Sequence, residues 1–316
     1  MKRLISILVS LVILLVIYWR IDFAGLIAVF RTSNRFWMPA SLGMVVPLTM
    51  LTSWRLQQLA PPDTNLGFGE SNRLILASST LNMVLPSKMG DIAKAYFMRD
   101  RGHLSGSLAL SLVVFEKACD LLSLLLWCVF GLMVYPDKSW LFWLMTLAVV
   151  GGLVAGLLLL GSRAIAQWTF ATVGAIAPKS IRQKLVKLSY SWAEMHHYFW
   201  SDRRQLFKIS ATSIFIWFLH LLQIWFFILA LNATTPFLAN LALSPLAILA
   251  GLLPLTFAGV GTRDAALILF YQPYFDAATG AALGLLCTSR YLLPAIGGLP
   301  FLGQYLATVK KMRSPS

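Results

Sequence analysis

The stretch that decides the fold is Asn82-Met83-Val84-Leu85-Pro86-Ser87-Lys88-Met89-Gly90-Asp91. It closes an apolar run of about 74–86 and opens a polar one. A second apolar run, about 241–258, stops at Leu253-Pro254 and restarts through Ala258-Gly259-Val260-Gly261-Thr262-Arg263-Asp264. Proline inside a helix removes a backbone hydrogen bond and clashes with the preceding turn. At membrane depth such loose backbone is tolerated only where protein or a cavity covers it. Both segments are therefore predicted to be re-entrant helical hairpins. The alternative is two kinked ordinary spans, giving eight crossings.

Around these segments lie six runs long and apolar enough to cross a hydrocarbon core of roughly 30 Å: about 4–19, 36–54, 106–134, 140–161, 206–231 and 276–303. Of 316 residues, 58% are hydrophobic and only 12% charged, with a mean hydropathy of +0.74. That is about half the charge of an ordinary soluble domain. The class predicted is an all-α integral membrane protein, a single polytopic domain over 1–316. Met1-Lys2-Arg3 and its apolar run resemble a signal peptide. No small-residue cleavage pattern follows, so a retained first helix is expected.

The net charge of +14 would suggest nucleic acid in a soluble protein. Here the basic residues cluster between apolar runs, and no nucleic-acid partner is expected. With the N-terminus inside, the inner segments hold Lys2, Arg3, Arg55, Arg73, Lys88, Lys94, Arg99, Arg101, the basic residues of 163–208, and Lys310, Lys311 and Arg313. The outer segments hold Arg20, Arg31, Arg35 and Lys138. This is the positive-inside pattern, and it puts both termini in the cytoplasm. Cys119, Cys128 and Cys287 all fall in apolar runs and read as small buried hydrophobes. No metal or cofactor site is predicted, and no residue is assigned a catalytic role.

The same topology makes halves of about 1–135 and 140–305 run in opposite senses, each with a hairpin after its second span. Leu85-Pro86 then Gly90-Asp91 corresponds to Leu253-Pro254 then Gly261, Arg263 and Asp264. Glu116 and Arg290 follow at similar distances in the next spans. Inverted repeats with broken helices are a transporter design. Between the halves, 162–205 is a basic interfacial segment. In it Ile181, Leu185, Leu188, Trp192, Met195 and Phe199 form an amphipathic stripe, with Arg182, Lys184 and Lys187 off it. Such a helix suits the anionic inner leaflet, apolar face down.

Charges inside spans need partners or a watery cavity. Glu116 and Asp120 share a helix face, and Lys117 can reach Asp120. Ser87 is a candidate N-cap for the first returning helix, which carries Lys88 and Lys94; Thr262 is one for the second, with Arg263 in its first turn. A helix N-terminus beside a cation suits a phosphate. Gly90, Gly259 and Gly261 allow an anion close to the backbone.

Asn82 to Ser87 with Gly90-Asp91, Glu116-Lys117 and Asp120 resemble the front half of the lysylphosphatidylglycerol-synthase transmembrane family, also called flippase-like domain proteins. Gly259-Val260-Gly261-Thr262-Arg263-Asp264 and Arg290 resemble its rear half, so the likeness runs from about 36 to 303. Asp264 stands where the family usually has glutamate, keeping the charge but shortening its reach. In the family's multiple peptide resistance factors such a domain flips aminoacylated phospholipid, and a soluble C-terminal domain performs the aminoacylation. The chain ends at Ser316, so a stand-alone member without that domain is expected.

The resemblance implies a lipid flippase in the bacterial cytoplasmic membrane, handling a phospholipid or a polyprenyl-phosphate-linked lipid. Lys88 and Arg263 would meet the headgroup phosphate, Arg290 would complete the anion site, and Asp91, Glu116, Asp120 and Asp264 would balance charge. The alternatives are a membrane-embedded glycosyl or phosphoryl transferase using a lipid-linked donor, and a non-transporting partner of another membrane enzyme. Self-association is compatible with each.

Overall fold

The computed structural model describes residues 23–61, 64, 66–84, 89–102, 104–135, 138–253 and 260–313. Every regular element among them is helical: α1 (Phe23–Arg31), α2 (Trp37–Gly43), α3 (Val45–Leu59), α4 (Phe68–Val84), α5 (Met89–Gly102), α6 (Gly106–Val134), α7 (Trp140–Gly161), α8 (Arg163–Ile176), α9 (Lys179–Ser201), α10 (Arg203–Ala230), α11 (Phe237–Gly251), α12 (Thr262–Tyr271) and α13 (Ala277–Arg313). The protein is an all-α membrane protein. Four described helices are long and apolar enough to cross a bilayer: α6, α7 over Phe142–Gly161, α10, and α13 over Ala277–Gly303. These are four of the six expected spans. The run at 4–19 lies outside the described residues.

The expected span at 36–54 is divided into α2 and α3, with Met44 between them. Pro47 explains the break, because it has no N–H to give the carbonyl of Gly43. Helical bonding resumes at once, from Leu48 N to Met44 O at 3.2 Å. The turns of both expected hairpins, at 85–88 and 254–259, lie outside the described residues. What is described is that α4 packs on α5 and α11 on α12.

Helix α7 differs from the other spans. Only 6% of its apolar window is buried, against 39–44% elsewhere. Trp143, Leu147, Val154 and Leu157 are exposed along it. A helix that is apolar all round and uncovered by protein is one that faces lipid.

The chain forms two compact units. One comprises the described residues of Met1–Leu48, Leu124–Val149 and Ile216–Ile296. In it Gly131 lies so close to the backbone of Ala242 that any side chain would overlap it. A buried polar triangle also ties α11 to α12. The Tyr271 hydroxyl donates to Asn240 Oδ1 at 2.9 Å and stands 2.7 Å from Ser244 Oγ, while Asn240 Nδ2 donates to Leu221 O. Buried polar groups persist only when they satisfy one another in this way.

The other unit comprises Thr49–Ser123, Val150–Phe215 and the described residues of Gly297–Ser316. Its core runs through Leu56, Leu74, Phe97, Leu112, Phe115, Met195, Phe199 and Tyr305. The rings of Phe115 and Phe199 stack at 3.8 Å, and Tyr305 donates to Glu70 Oε1 at 2.7 Å. This packing corrects one expectation. The later part of the α9 stripe does not lie on a leaflet, because Met195 and Phe199 are buried in this core. The indoles of Trp192 and Trp200 donate to the carbonyls of Leu159 and Leu160, both at 3.0 Å. They thereby satisfy last-turn carbonyls of α7 that have no helical partner.

Candidate functional site

The second unit holds a network of ionised side chains. Arg55, near the end of α3, donates from Nη1 to Asp120 Oδ1 at 2.5 Å and to Ser213 Oγ at 2.8 Å, and from Nη2 to Glu116 Oε1 at 3.1 Å. The other Glu116 oxygen takes the Lys94 ammonium of α5. The side chains of Arg55, Lys94 and Glu116 are 2%, 1% and 1% exposed. Lys117 stands 3.4 Å from Asp91 and 3.7 Å from Asp120, and is 46% exposed. Asn82 Nδ2 reaches Asp91 at 3.4 Å.

Three cations thus face three carboxylates, Arg55, Lys94 and Lys117 against Asp91, Glu116 and Asp120. The network is neutral in sum. An isolated ion at the centre of a span costs roughly 2.5–3.5 kcal/mol or more, so each member depends on its neighbours. Gly90 allows the helices to close around it. A Cβ there would overlap the Ser78 carbonyl and Asn82.

The first unit holds a smaller site at the start of α12. Gly261 takes φ 100°, a conformation that favours glycine, and its N–H donates to Asp264 Oδ2 at 3.0 Å. The same carboxylate accepts from Arg263 Nε at 3.0 Å and Nη2 at 2.7 Å through Oδ1. Arg263 Nη2 also meets the Gly284 carbonyl at 3.1 Å and Thr288 Oγ1 at 2.8 Å on α13. Close approach is possible because residue 284 is glycine: a Cβ there would sit 2.9 Å from the Asp264 carboxylate.

Arg290, one turn further along α13, is in a different state. Only 9% of it is exposed, no carboxylate among the described residues lies within ion-pair distance, and its buried Nε has no hydrogen-bond partner. Its neighbours are the Cys287 thiol and the ring of Tyr291, the latter 6.0 Å from the guanidinium carbon. Sulfur is a weak acceptor, so this cation lacks the anionic partner that Arg55, Lys94 and Arg263 each possess.

Several sequence expectations change on these geometries. Lys94 is a buried partner of Glu116, so its ammonium is engaged within the protein. Thr262 is the first helical residue rather than the cap; Gly261 is the capping position, and Asp264 supplies the carboxylate. Gly90, expected to admit an anion, instead lies against the Ser78 carbonyl and Asn82. Ser87, Lys88 and Gly259 lie outside the described residues. Arg55 was missed as a site residue, having served only in the count of inner charges. Its signal was that it is the one charged residue of its helix, set between Trp54 and Leu56.

An all-α chain with four described helices long and apolar enough to cross a bilayer, and with ionised side chains buried among its helices, is a multi-pass membrane protein. The chain is a member of the family described as the lysylphosphatidylglycerol synthase TM region, whose model matches residues 3–298. No curated protein matches it.

Proposed function

We propose that this protein is a lipid translocase, carrying a phospholipid or a polyprenyl-phosphate-linked lipid between leaflets without altering its covalent structure. The observation that supports this reading is the buried Arg290 guanidinium, which has no carboxylate within reach among the described residues and a buried Nε without an acceptor. Leaving such a group unpaired in a span is costly. The abundant anion of the surrounding phase is the lipid phosphate, which matches a guanidinium in two-pronged geometry. On α12 Arg263 and Asp264 neutralise one another, leaving Arg290 on α13 as the cation with no carboxylate partner among the described residues.

In the network of the other unit Arg55, Lys94 and Lys117 balance Asp91, Glu116 and Asp120, so that cluster offers polar groups without a net charge. Lys117 is its solvent-accessible member and the one a headgroup meets first. Membership of the family supports the lipid class but does not choose the headgroup. The charge asymmetry supports a bacterial cytoplasmic membrane with both termini inside, and the paired hairpins and opposed halves belong to the same reading.

The test is lipid retention. Protein purified in mild detergent should carry phospholipid phosphorus above the detergent background, Arg290→Gln should lose most of it, and Arg290→Lys should keep part. Equal retention by the glutamine variant would remove the support for this reading.

A further inference from the structure

A polar cavity lies wholly within the unit that contains the end of α3 and the beginning of α10. Its volume is about 580 Å³, within the range of small-molecule sites. It opens where α3 ends and α10 begins, before α10 turns apolar, so it stands at the polar end of a spanning helix. Its floor includes buried Leu66.

Two cations line it, Arg204 and Lys208, four residues apart and hence on one face of α10. Lys208 is held in place rather than free to wander. Its ammonium donates to Gln58 Oε1 at 2.6 Å and sits 5.0 Å over the Trp54 ring, and Gln205 Nε2 fixes the Gln58 backbone at 2.7 Å. One of the three ammonium hydrogens is thereby committed to Gln58, leaving donor capacity for a ligand. The Arg204 guanidinium has no partner among the described residues. The carboxylate of Asp202 is occupied locally, accepting through Oδ1 from Arg204 N at 2.9 Å and Gln205 N at 3.1 Å to cap the helix.

We propose that this cavity binds a phosphodiester headgroup, with Arg204 and Lys208 as the phosphate ligands. Among the described lining residues two cations face one carboxylate, which is already spent on capping α10, so these residues offer an anion a cationic face. The position at the polar end of a span places it at the level of lipid headgroups, so the expected source is a glycerophospholipid of the adjoining leaflet. This site is independent of Arg290 and does not rest on translocation.

The experiment uses the full chain in maltoside micelles, whose headgroup carries no phosphate. Phosphatidylglycerol is added in one arm and soluble glycerophosphoglycerol in the other, with bound molecules counted by native mass spectrometry. Wild type should bind phosphatidylglycerol, and Arg204→Gln with Lys208→Gln should weaken binding at least about tenfold. Arg163→Gln, which removes one cation at an exposed position on α8, should leave binding within about twofold. Loss in the double variant confined to the soluble arm would keep the phosphodiester site but assign it a free ligand. Gln58→Glu gives a variant of unchanged shape, in which a carboxylate takes the Lys208 ammonium and should also weaken binding. Equal binding by wild type and the double variant, equal loss in Arg163→Gln, or unchanged binding by Gln58→Glu would overturn the proposal.

Discussion

Glu116 divides its two carboxylate oxygens between two buried cations, Lys94 on one side and Arg55 on the other, the latter at 3.1 Å. One carboxylate therefore fixes the α3, α5 and α6 segments of the unit around a single point. Breaking a buried pair by removing one partner strands the other charge, at a cost of about 3–5 kcal/mol.

Glu116→Gln is accordingly expected to be strongly destabilising, by at least that amount, because two cations lose their anion together. Unfolding in detergent, followed by tryptophan fluorescence, would measure it. Combining Lys94→Met with Glu116→Gln should cost less than the two single changes added, since the pair is removed as a unit. Strict additivity would mean that the contact does not contribute.

The charge cluster marks the limit of what could be read from sequence. Glu116 and Asp120 are one helical turn apart, so periodicity alone put them on one face, and Lys117 within reach of Asp120. Asp91 was a candidate because it follows a broken helix. Arg55 lies 61 residues before Glu116, and nothing local to it says that its side chain turns inward. The stripe on α9 shows the same limit. Spacing established an apolar face at Trp192, Met195 and Phe199, but only tertiary packing reveals that Met195 and Phe199 enter a protein core, with Phe115 stacked on Phe199. Spans were legible because twenty apolar residues have few other uses. The expected span at 36–54 runs straight through Pro47, and the break at Met44 came only with the structure.

Gly284→Ala should disturb the Arg263–Asp264 pair, because the added methyl meets the Asp264 carboxylate at 2.9 Å. A loss of about 1–3 kcal/mol is expected, as for other overpacked sites. Gly151→Ala, on α7 with open space around it, should be neutral or stabilising by up to about 1 kcal/mol. Thermal unfolding of both variants tests the contrast.

Tyr271→Phe should cost about 1–3 kcal/mol by removing a hydroxyl from the buried Asn240–Ser244 group. The smaller end applies, since Ser244 Oγ still donates to Asn240 Oδ1 at 2.9 Å. A matching thermal midpoint in wild type and variant would show that the triangle contributes little.

Topology follows from the distribution of basic residues. Single cysteines placed at 202 and 236, in a chain lacking Cys119, Cys128 and Cys287, should label from opposite sides. Position 236 should react with an impermeant maleimide outside intact cells, and 202 only after permeabilisation. Labelling of both from outside would reverse the charge argument.

Translocation itself is the central claim, and leaflet exchange measures it most directly. Purified protein in liposomes should expose inner-leaflet fluorescent phospholipid to an external quencher faster than empty liposomes do, with the lipid mass unchanged. Arg290→Gln should slow that exchange at least about tenfold, as expected for loss of a charge-assisted phosphate contact, and Arg290→Lys should be intermediate. Across phosphatidylglycerol, an aminoacylated phospholipid and a polyprenyl phosphate, exchange of at least one species with intact mass is the predicted result. No exchange of any of them, together with a new covalent lipid product, would contradict the account.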